Sequence, residues 1–142
     1  MPTAFNKNLK MSLLLLLPAT AAVAQHQKPE LPYNTNLVKQ QPESGAGNLT
    51  FRPSPEVRGM RSLSDGTVYL VSTDNHSLSA DKGSRLVWKT NVVSACPTIV
   101  GQRQIREVTL RPKTIFVAVG NRTFAEVDTG TGKVTVAKVQ KN

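Results

Sequence analysis

The chain has 142 residues, and its 18 lysines and arginines against 9 aspartates and glutamates give a formal net charge of +9. A single cysteine excludes an intramolecular disulfide framework, and the length allows one domain with a modest core. The positive charge favours anionic surfaces and polymers as partners, but it carries no information about the fold.

The first 24 residues have the pattern of a secretory signal peptide. Two lysines precede an apolar run over residues 11–24, which ends in small side chains. The run is interrupted by Pro18 and is shorter than the roughly 20 residues that span a bilayer, which disfavours a membrane anchor. The pattern predicts cleavage between Ala24 and Gln25 and an exported protein, periplasmic or secreted, that meets a membrane only through the cleaved peptide.

Residues 25–59 are rich in Pro, Gln and Ser and keep neither the helical nor the strand period. Apolar side chains are too sparse there to offset the entropy of ordering, so we predict a flexible or extended segment. Its short apolar runs, residues 31–33 and 49–51, could still lie against the domain.

From residue 60 onward the pattern is that of β-strands separated by tight turns. β-Branched and aromatic runs predict strands over residues 67–72, 77–80, 85–89, 105–110, 114–119, 122–127 and 133–139. No window shows a sustained helical stripe. We therefore predict an all-β domain over residues 60–142, built as a small antiparallel sheet, a sandwich or a barrel-like meander.

Two stretches of this domain are related by a shift of 47 places. The shift sets Tyr69 on Phe116 and Asp81 on Asp128, so that each copy reads strand, turn, strand, Asp-x-Gly turn, strand. Tight turns at this spacing predict a three-stranded antiparallel meander in each copy.

Segments 67–89 and 114–136 resemble the blade repeat of quinoprotein-type (PQQ-like) β-propellers. In that repeat a valine-rich strand, a turn, a short strand ending in Asp and a Thr-Gly turn recur, and a closing aromatic residue follows. The resemblance implies a blade-like meander in each copy. A closed propeller needs at least about 4 blades, so the resemblance implies neither the cofactor nor the dehydrogenase activity of that family.

Few residues offer catalytic or metal-binding chemistry. His26 and His76 are the two histidines, and neither has a second histidine or a thiol placed to complete a site. Aspartates such as Asp74 and Asp128 fall in predicted turns, where the backbone alone favours Asp. We expect no catalytic, cofactor-binding or metal-binding residues and no cofactor, although scattered Asp, Arg and Ser side chains leave an enzyme as an alternative.

Other residues bear on possible partners. Cys96 has apolar neighbours and is expected to be buried or, in an oxidising compartment, to form an intermolecular disulfide. The basic residues form no sequence cluster, and we take four of them as candidate contacts to a polyanion: Arg103, Arg106, Arg111 and Lys113. In a eukaryotic secretory pathway three sequons would be glycan acceptors, at Asn48, Asn75 and Asn121.

The sequence as a whole favours an exported, non-catalytic β-rich binding or structural module of the cell envelope. The partners we expect are an envelope protein, an anionic polysaccharide or a second copy of the chain, because a small sheet has edges that pair. A basic module that binds acidic glycans or lipid head groups is the alternative. No specific nucleic-acid binding is expected, since Tyr69, Trp88 and Phe116 fall within predicted strands.

Overall fold

The computed structural model describes residues 30–43 and 49–141, so the predicted signal peptide and the cleavage position at Ala24 and Gln25 lie outside it. The described chain forms a 3-10 helix at Thr35–Leu37, a short helix α1 at Val92–Ala95 and ten strands. The strands are β1 (Val38–Gln40), β2 (Thr50–Phe51), β3 (Gly59–Arg61), β4 (Val68–Val71), β5 (Ser77–Lys82), β6 (Arg85–Asn91), β7 (Ile105–Leu110), β8 (Thr114–Val119), β9 (Thr123–Asp128) and β10 (Val134–Val139). Neither helix is long and apolar enough to cross a membrane.

The strands form two five-stranded sheets. The first has the order β1-β3-β4-β5-β6, in which β1 lies parallel to β3 and the other neighbours are antiparallel. The second has the order β10-β9-β8-β7-β2 and is antiparallel throughout. The predicted all-β, sandwich-like fold is confirmed, and the two sheets do not close into a barrel.

One apolar core lies between the sheets. In β8 the side chains alternate, so that Ile115, Val117 and Val119 are buried while their neighbours are only partly so. This alternation follows from the two-residue period of a strand, which sends successive side chains to opposite faces. Met60, Tyr69, Val71, Leu78, Ala80 and Trp88 form the inner face of the first sheet. Full burial of each large apolar side chain contributes roughly 1.5–3 kcal/mol.

The two copies of the 47-residue repeat form equivalent strands. In the alignment of the copies, however, β8 is shifted by one residue relative to β4. Leu78 of β5 and Ala125 of β9 both face the core, as the shift requires. Tyr69 of β4 also faces the core, whereas Phe116 of β8 faces outward, so the structural counterpart of Tyr69 is Ile115. The turns that connect these strands differ in length. The last residue pair before the turn is Val71–Leu78 between β4 and β5, and Val119–Thr123 between β8 and β9.

With that offset, equivalent faces of the two meanders meet in the core. The part of the chain that the structure describes forms two sheets and no ring of blades. The resemblance of segments 67–89 and 114–136 to propeller blades therefore stays a prediction.

The segment predicted to be flexible contributes one edge strand to each sheet. β1 pairs with β3, and β2 pairs with β7, where the hydroxyls of Thr50 and Thr109 are 2.8 Å apart. Phe51 is buried in the core, and Leu49 packs against it. The structured unit thus begins before residue 60. Edge strands are held by backbone hydrogen bonds, which leave no apolar pattern in the sequence.

Trp88 of β6 joins the first sheet to the β9–β10 turn of the second. Its Nε1 donates to the carbonyl oxygen of Thr129 at 2.9 Å, and the hydroxyl of Thr90 donates to the carbonyl oxygen of Gly132 at 2.5 Å. The Trp88 ring also lies 6.2 Å from the ring of Tyr69, centroid to centroid. Gly132 has φ +73°, and an added Cβ would lie 2.5 Å from the Trp88 ring.

At the other end of the first sheet, Arg58 holds the β4–β5 turn. Its Nη2 donates to the carbonyl oxygens of Val71 and Ser72 and, at 2.7 Å, to Oδ1 of Asn75. Asn75 has φ +60° and its carbonyl oxygen accepts from the backbone N–H of Ile105 at 2.7 Å, which ties this turn to the second sheet. Burial lowers the pKa of Arg58, and the charge of Asp74 offsets part of that effect. The buried Nε of Arg58 has no hydrogen-bond partner among the described residues.

We expect the Trp88 contact to make Gly132→Ala more damaging than a comparable glycine substitution. Gly83 is the matched control, because it has φ +61° and nothing within 4 Å of an added Cβ. Backbone strain alone should lower the free energy of unfolding by about 1 kcal/mol in Gly83→Ala, and strain plus overpacking by about 3 kcal/mol in Gly132→Ala. Urea unfolding followed by circular dichroism measures both, and equal losses would contradict the proposed contact.

Candidate functional site

Four turns lie at the same end of the two sheets and surround a cleft of about 500 Å³. They are the β3–β4, β5–β6, β7–β8 and β9–β10 turns, two from each sheet. The floor contains the buried side chains of Tyr69, Ala80 and Leu110. Hydroxyl groups such as those of Ser64 and Thr129 lie on the wall. The cleft therefore combines an apolar floor with a polar wall, as small-molecule sites commonly do.

The rim of the cleft is basic. Lys82 and Arg85 flank the two-residue turn between β5 and β6 and pair directly opposite each other, and Arg111 lines the same cleft. The ion pairs of the described residues are Arg52–Glu107 and Asp74–His76, so none of these three cations has a carboxylate oxygen within 4.0 Å. Like charges directly opposite on neighbouring strands destabilise the pair. An anion bound between them would relieve that repulsion.

Asp65 is the acidic residue that lines the cleft, and its carboxylate accepts a hydrogen bond from the backbone. Its carboxylate accepts from the backbone N–H of Thr67 at 3.0 Å, and this bond, helped by the charge of Lys82, lowers the pKa of Asp65. Burial, with the charge of Asp65 second, raises the pKa of Tyr69 in the floor. The Asp65 carboxylate thus closes the β3–β4 turn and offsets only part of the charge of Lys82, with which it makes no ion pair within 4.0 Å.

Arg111 is held at the rim by an aromatic ring. Its guanidinium carbon lies 4.3 Å from the ring centroid of Phe116, on the outer face of the second sheet. Contacts of this kind contribute roughly 0.5–1 kcal/mol at exposed sites. The contact holds the guanidinium itself against the outer face of the second sheet, at the edge of the cleft that Arg111 lines.

The structure divides the four predicted polyanion contacts between opposite ends of β7. Arg103 precedes β7 and Arg106 is the second residue of the strand, whereas Arg111 and Lys113 follow it. The rest of the strand, residues 107–110, separates Arg106 from Arg111 by about 17 Å. Arg106 also donates from Nε to the carbonyl oxygen of Gly120 at 2.8 Å. The four residues do not form one patch, and only Arg111 of the four lines the cleft.

Sequence reasoning did not single out Lys82 and Arg85. The signal for them was the turn pair Gly83-Ser84 between two strands, because a two-residue hairpin sets its flanking residues opposite each other. Their nearness to Arg111 could not be read from the sequence, since it depends on the packing of one sheet against the other.

Cys96 and His76 lie away from the cleft. Cys96 is a free thiol with 2% of its surface exposed, and burial raises its pKa, so an intermolecular disulfide would require local opening. His76 lies in the β4–β5 turn, with its Nδ1 3.7 Å from Oδ2 of Asp74. His26 and Asn48 lie outside the described residues. Within residues 30–43 and 49–141 no three His, Cys, Asp or Glu side chains form a group that could hold a metal ion.

The acidic residues that an enzyme site would need are dispersed. Asp65 lines the main cleft and Glu107 lines a second one of about 350 Å³, whereas Glu126 and Asp128 line neither. The carboxylate of Asp128 accepts from the backbone N–H groups of Gly130 and Thr131, both at 2.9 Å. These bonds, that from Thr131 first, lower the pKa of Asp128 and close the β9–β10 turn.

Comparison with models of known protein families found no match for this chain, and comparison with curated protein sequences found none either.

Asp81 is a buried carboxyl group beside the cleft. It is 4% exposed, lies at an irregularity in the β5–β6 pairing and accepts one weak hydrogen bond, from the hydroxyl of Ser79 at 3.4 Å. Burial raises its pKa, because the apolar surroundings disfavour the charged form.

We expect Asp81→Asn to increase the free energy of unfolding at pH 7. A carboxyl whose pKa is raised by folding destabilises the protein above its unfolded pKa of about 3.9, and the penalty disappears as the pH falls below that value. The gain over the wild type should therefore shrink towards pH 3, as measured by urea unfolding at several pH values.

Asp128→Asn is the matched control with the opposite sign. The pKa of Asp128 is lowered in the fold, so its stabilising effect is present above the unfolded pKa and is lost as the pH falls through the folded pKa. This variant should be less stable than the wild type at pH 7. A loss of stability at pH 7 in Asp81→Asn as well would contradict the assignment of a penalty to Asp81.

Proposed function

We propose that the protein is an exported, non-catalytic module that binds an anionic ligand in the cleft between its sheets. The observation that carries the proposal is a set of three cations, Lys82, Arg85 and Arg111, that line one concave site and make no ion pair with any described carboxylate. Export rests on the predicted signal peptide. The dispersal of the carboxylates supports binding rather than acid–base chemistry.

The arrangement suits a ligand that carries phosphate, sulfate or carboxylate groups. The guanidinium groups of Arg85 and Arg111 offer forked donors that match such oxyanions, and the ammonium of Lys82 adds a third charge. The floor at Tyr69 and Leu110 is apolar, so binding there removes the anion from competing water. Charge-assisted hydrogen bonds gain strength in such a setting.

The like charges of Lys82 and Arg85 should lower the free energy of unfolding of the protein without ligand. Like charges placed opposite each other cost up to about 1 kcal/mol. We therefore expect Lys82→Gln to raise the free energy of unfolding by about 0.3 kcal/mol in the absence of ligand. Lys89→Gln, an exposed lysine of the same hairpin that faces Ser79, is the control and should change stability less.

The binding itself is tested with a heparin tetrasaccharide as a defined polyanion, by isothermal titration calorimetry at two salt concentrations. The double variant Lys82→Gln/Arg85→Gln should bind at least about tenfold more weakly, since each charge-assisted contact contributes roughly 1 kcal/mol or more.

Arg103→Gln/Arg122→Gln is the matched control, because both residues are exposed and flank the opposite ends of the strands. It removes the same two charges and should change the affinity less than about twofold, apart from long-range attraction. Equal losses in the two double variants would show that net charge alone governs binding, and the cleft proposal would be wrong.

A further inference from the structure

The cleft end also exposes large apolar side chains. Leu63 in the β3–β4 turn is 40% exposed, and Leu86 and Val87 at the start of β6 are 53% and 44% exposed. The remaining large exposed apolar residues of the described chain are elsewhere: Val100, Phe124 and Val139. Three exposed apolar residues therefore lie at the same end as the basic rim, Leu63 in the β3–β4 turn and Leu86 and Val87 in the first residues of β6.

Basic residues surround these apolar side chains. Lys82 and Arg85 belong to the hairpin that carries Leu86, and Arg111 lies across the cleft. Lys113 adds an exposed charge in the β7–β8 turn. We call the surface formed by Leu63, Lys82, Arg85, Leu86, Val87, Arg111 and Lys113 the docking end.

The combination of exposed apolar and basic side chains at the docking end suits one kind of partner better than others. A soluble polyanion uses the charges but leaves Leu63 and Leu86 in water. Anionic phospholipid surfaces satisfy both, since phosphates attract Lys and Arg while apolar groups enter the boundary between head groups and acyl chains.

We propose that the docking end binds reversibly to an anionic phospholipid surface, with a lipid phosphate in the cleft and the tips of Leu63, Leu86 and Val87 below the head groups. This inference rests on the proposed function, because it identifies the anionic ligand as a lipid head group. It goes beyond the sequence-based expectation that only the cleaved signal peptide meets a membrane.

The docking end combines the two contributions that reversible membrane binding requires. Peripheral binding needs both apolar burial and electrostatic attraction, because either one alone gives marginal affinity. The turns that carry the docking end are fixed by backbone bonds, such as those from Thr67 to the carboxylate of Asp65 and from Ser62 to the carbonyl oxygen of Thr67. Little ordering entropy is therefore lost when Leu63 inserts.

The experiment is co-sedimentation of the mature protein with vesicles. Vesicles that contain phosphatidylglycerol in phosphatidylcholine should bind the protein, vesicles of phosphatidylcholine alone should not, and added salt should weaken binding. Lys82→Gln/Arg85→Gln should reduce the partition coefficient by about 30-fold, from roughly 1 kcal/mol for each basic residue near the surface.

Leucine substitutions separate docking from anion binding. Leu63→Asn/Leu86→Asn should reduce binding to the anionic vesicles by at least about tenfold, from the apolar area no longer buried in the lipid, and leave the heparin tetrasaccharide affinity unchanged. Val100→Asn/Val139→Asn, with exposed fractions of 41% and 38%, is the matched control and should change neither. Circular dichroism of each variant checks that the fold is retained.

The outcomes distinguish the two proposals. If anionic vesicles do not bind, or bind independently of Leu63 and Leu86, while the tetrasaccharide still binds through Lys82 and Arg85, the docking inference is wrong and the proposed function stands. If Lys82→Gln/Arg85→Gln changes neither vesicle nor tetrasaccharide binding more than its control does, both are wrong.

Discussion

Trp88 fixes the distance between the two sheets at the end where the cleft lies. Its Nε1 donates to the carbonyl oxygen of Thr129, and its ring leaves no room for a side chain at Gly132. Trp88 therefore ties β6 of the first sheet to the β9–β10 turn of the second. The positions of Lys82 and Arg85 relative to the second sheet follow from this contact, as does the access of a ligand to the floor.

The two ends of the sandwich use arginine in opposite ways. Arg58 directs its guanidinium to acceptors of the β4–β5 turn, including Asn75, so its charge serves the fold. Arg85 and Arg111 line the cleft and make no ion pair with any described carboxylate. At one end the Nη2 of Arg58 is bound to turn acceptors, while its Nε stays unpaired, and at the other end Lys82 and Arg85 face each other as like charges. This contrast is what assigns the site to the cleft end.

The sequence predicted the meander strands well because turn dipeptides and β-branched runs are local signals. It predicted the strands around Tyr69 and Phe116 but set these two residues on equivalent positions, although they face opposite sides of their sheets. A register error of one residue reverses the face of every side chain, and the lengths of the connections that decide it differ between the copies. The edge strands at Val38 and Phe51 were missed, since backbone pairing leaves no periodic pattern.

The site was harder to predict than the fold. The candidates Arg103, Arg106, Arg111 and Lys113 are close in sequence, but β7 places the first two about 17 Å or more from the last two. The cations that share the cleft, Lys82, Arg85 and Arg111, come from different sheets. Only the packing of one sheet on the other brings them together, and that packing depends on contacts such as Trp88 with Gly132.

The basic hairpin has a second consequence, which concerns solubility. β6 is an edge strand of the first sheet, and its exposed Leu86 and Val87 would favour pairing with the edge of another molecule. Arg85 and Lys89 are exposed on the same strand and repel the like-charged strand of a second copy. The charges that we propose as the anion site would thus also protect the edge strand against aggregation, and their neutralisation by a soluble polyanion would remove that protection.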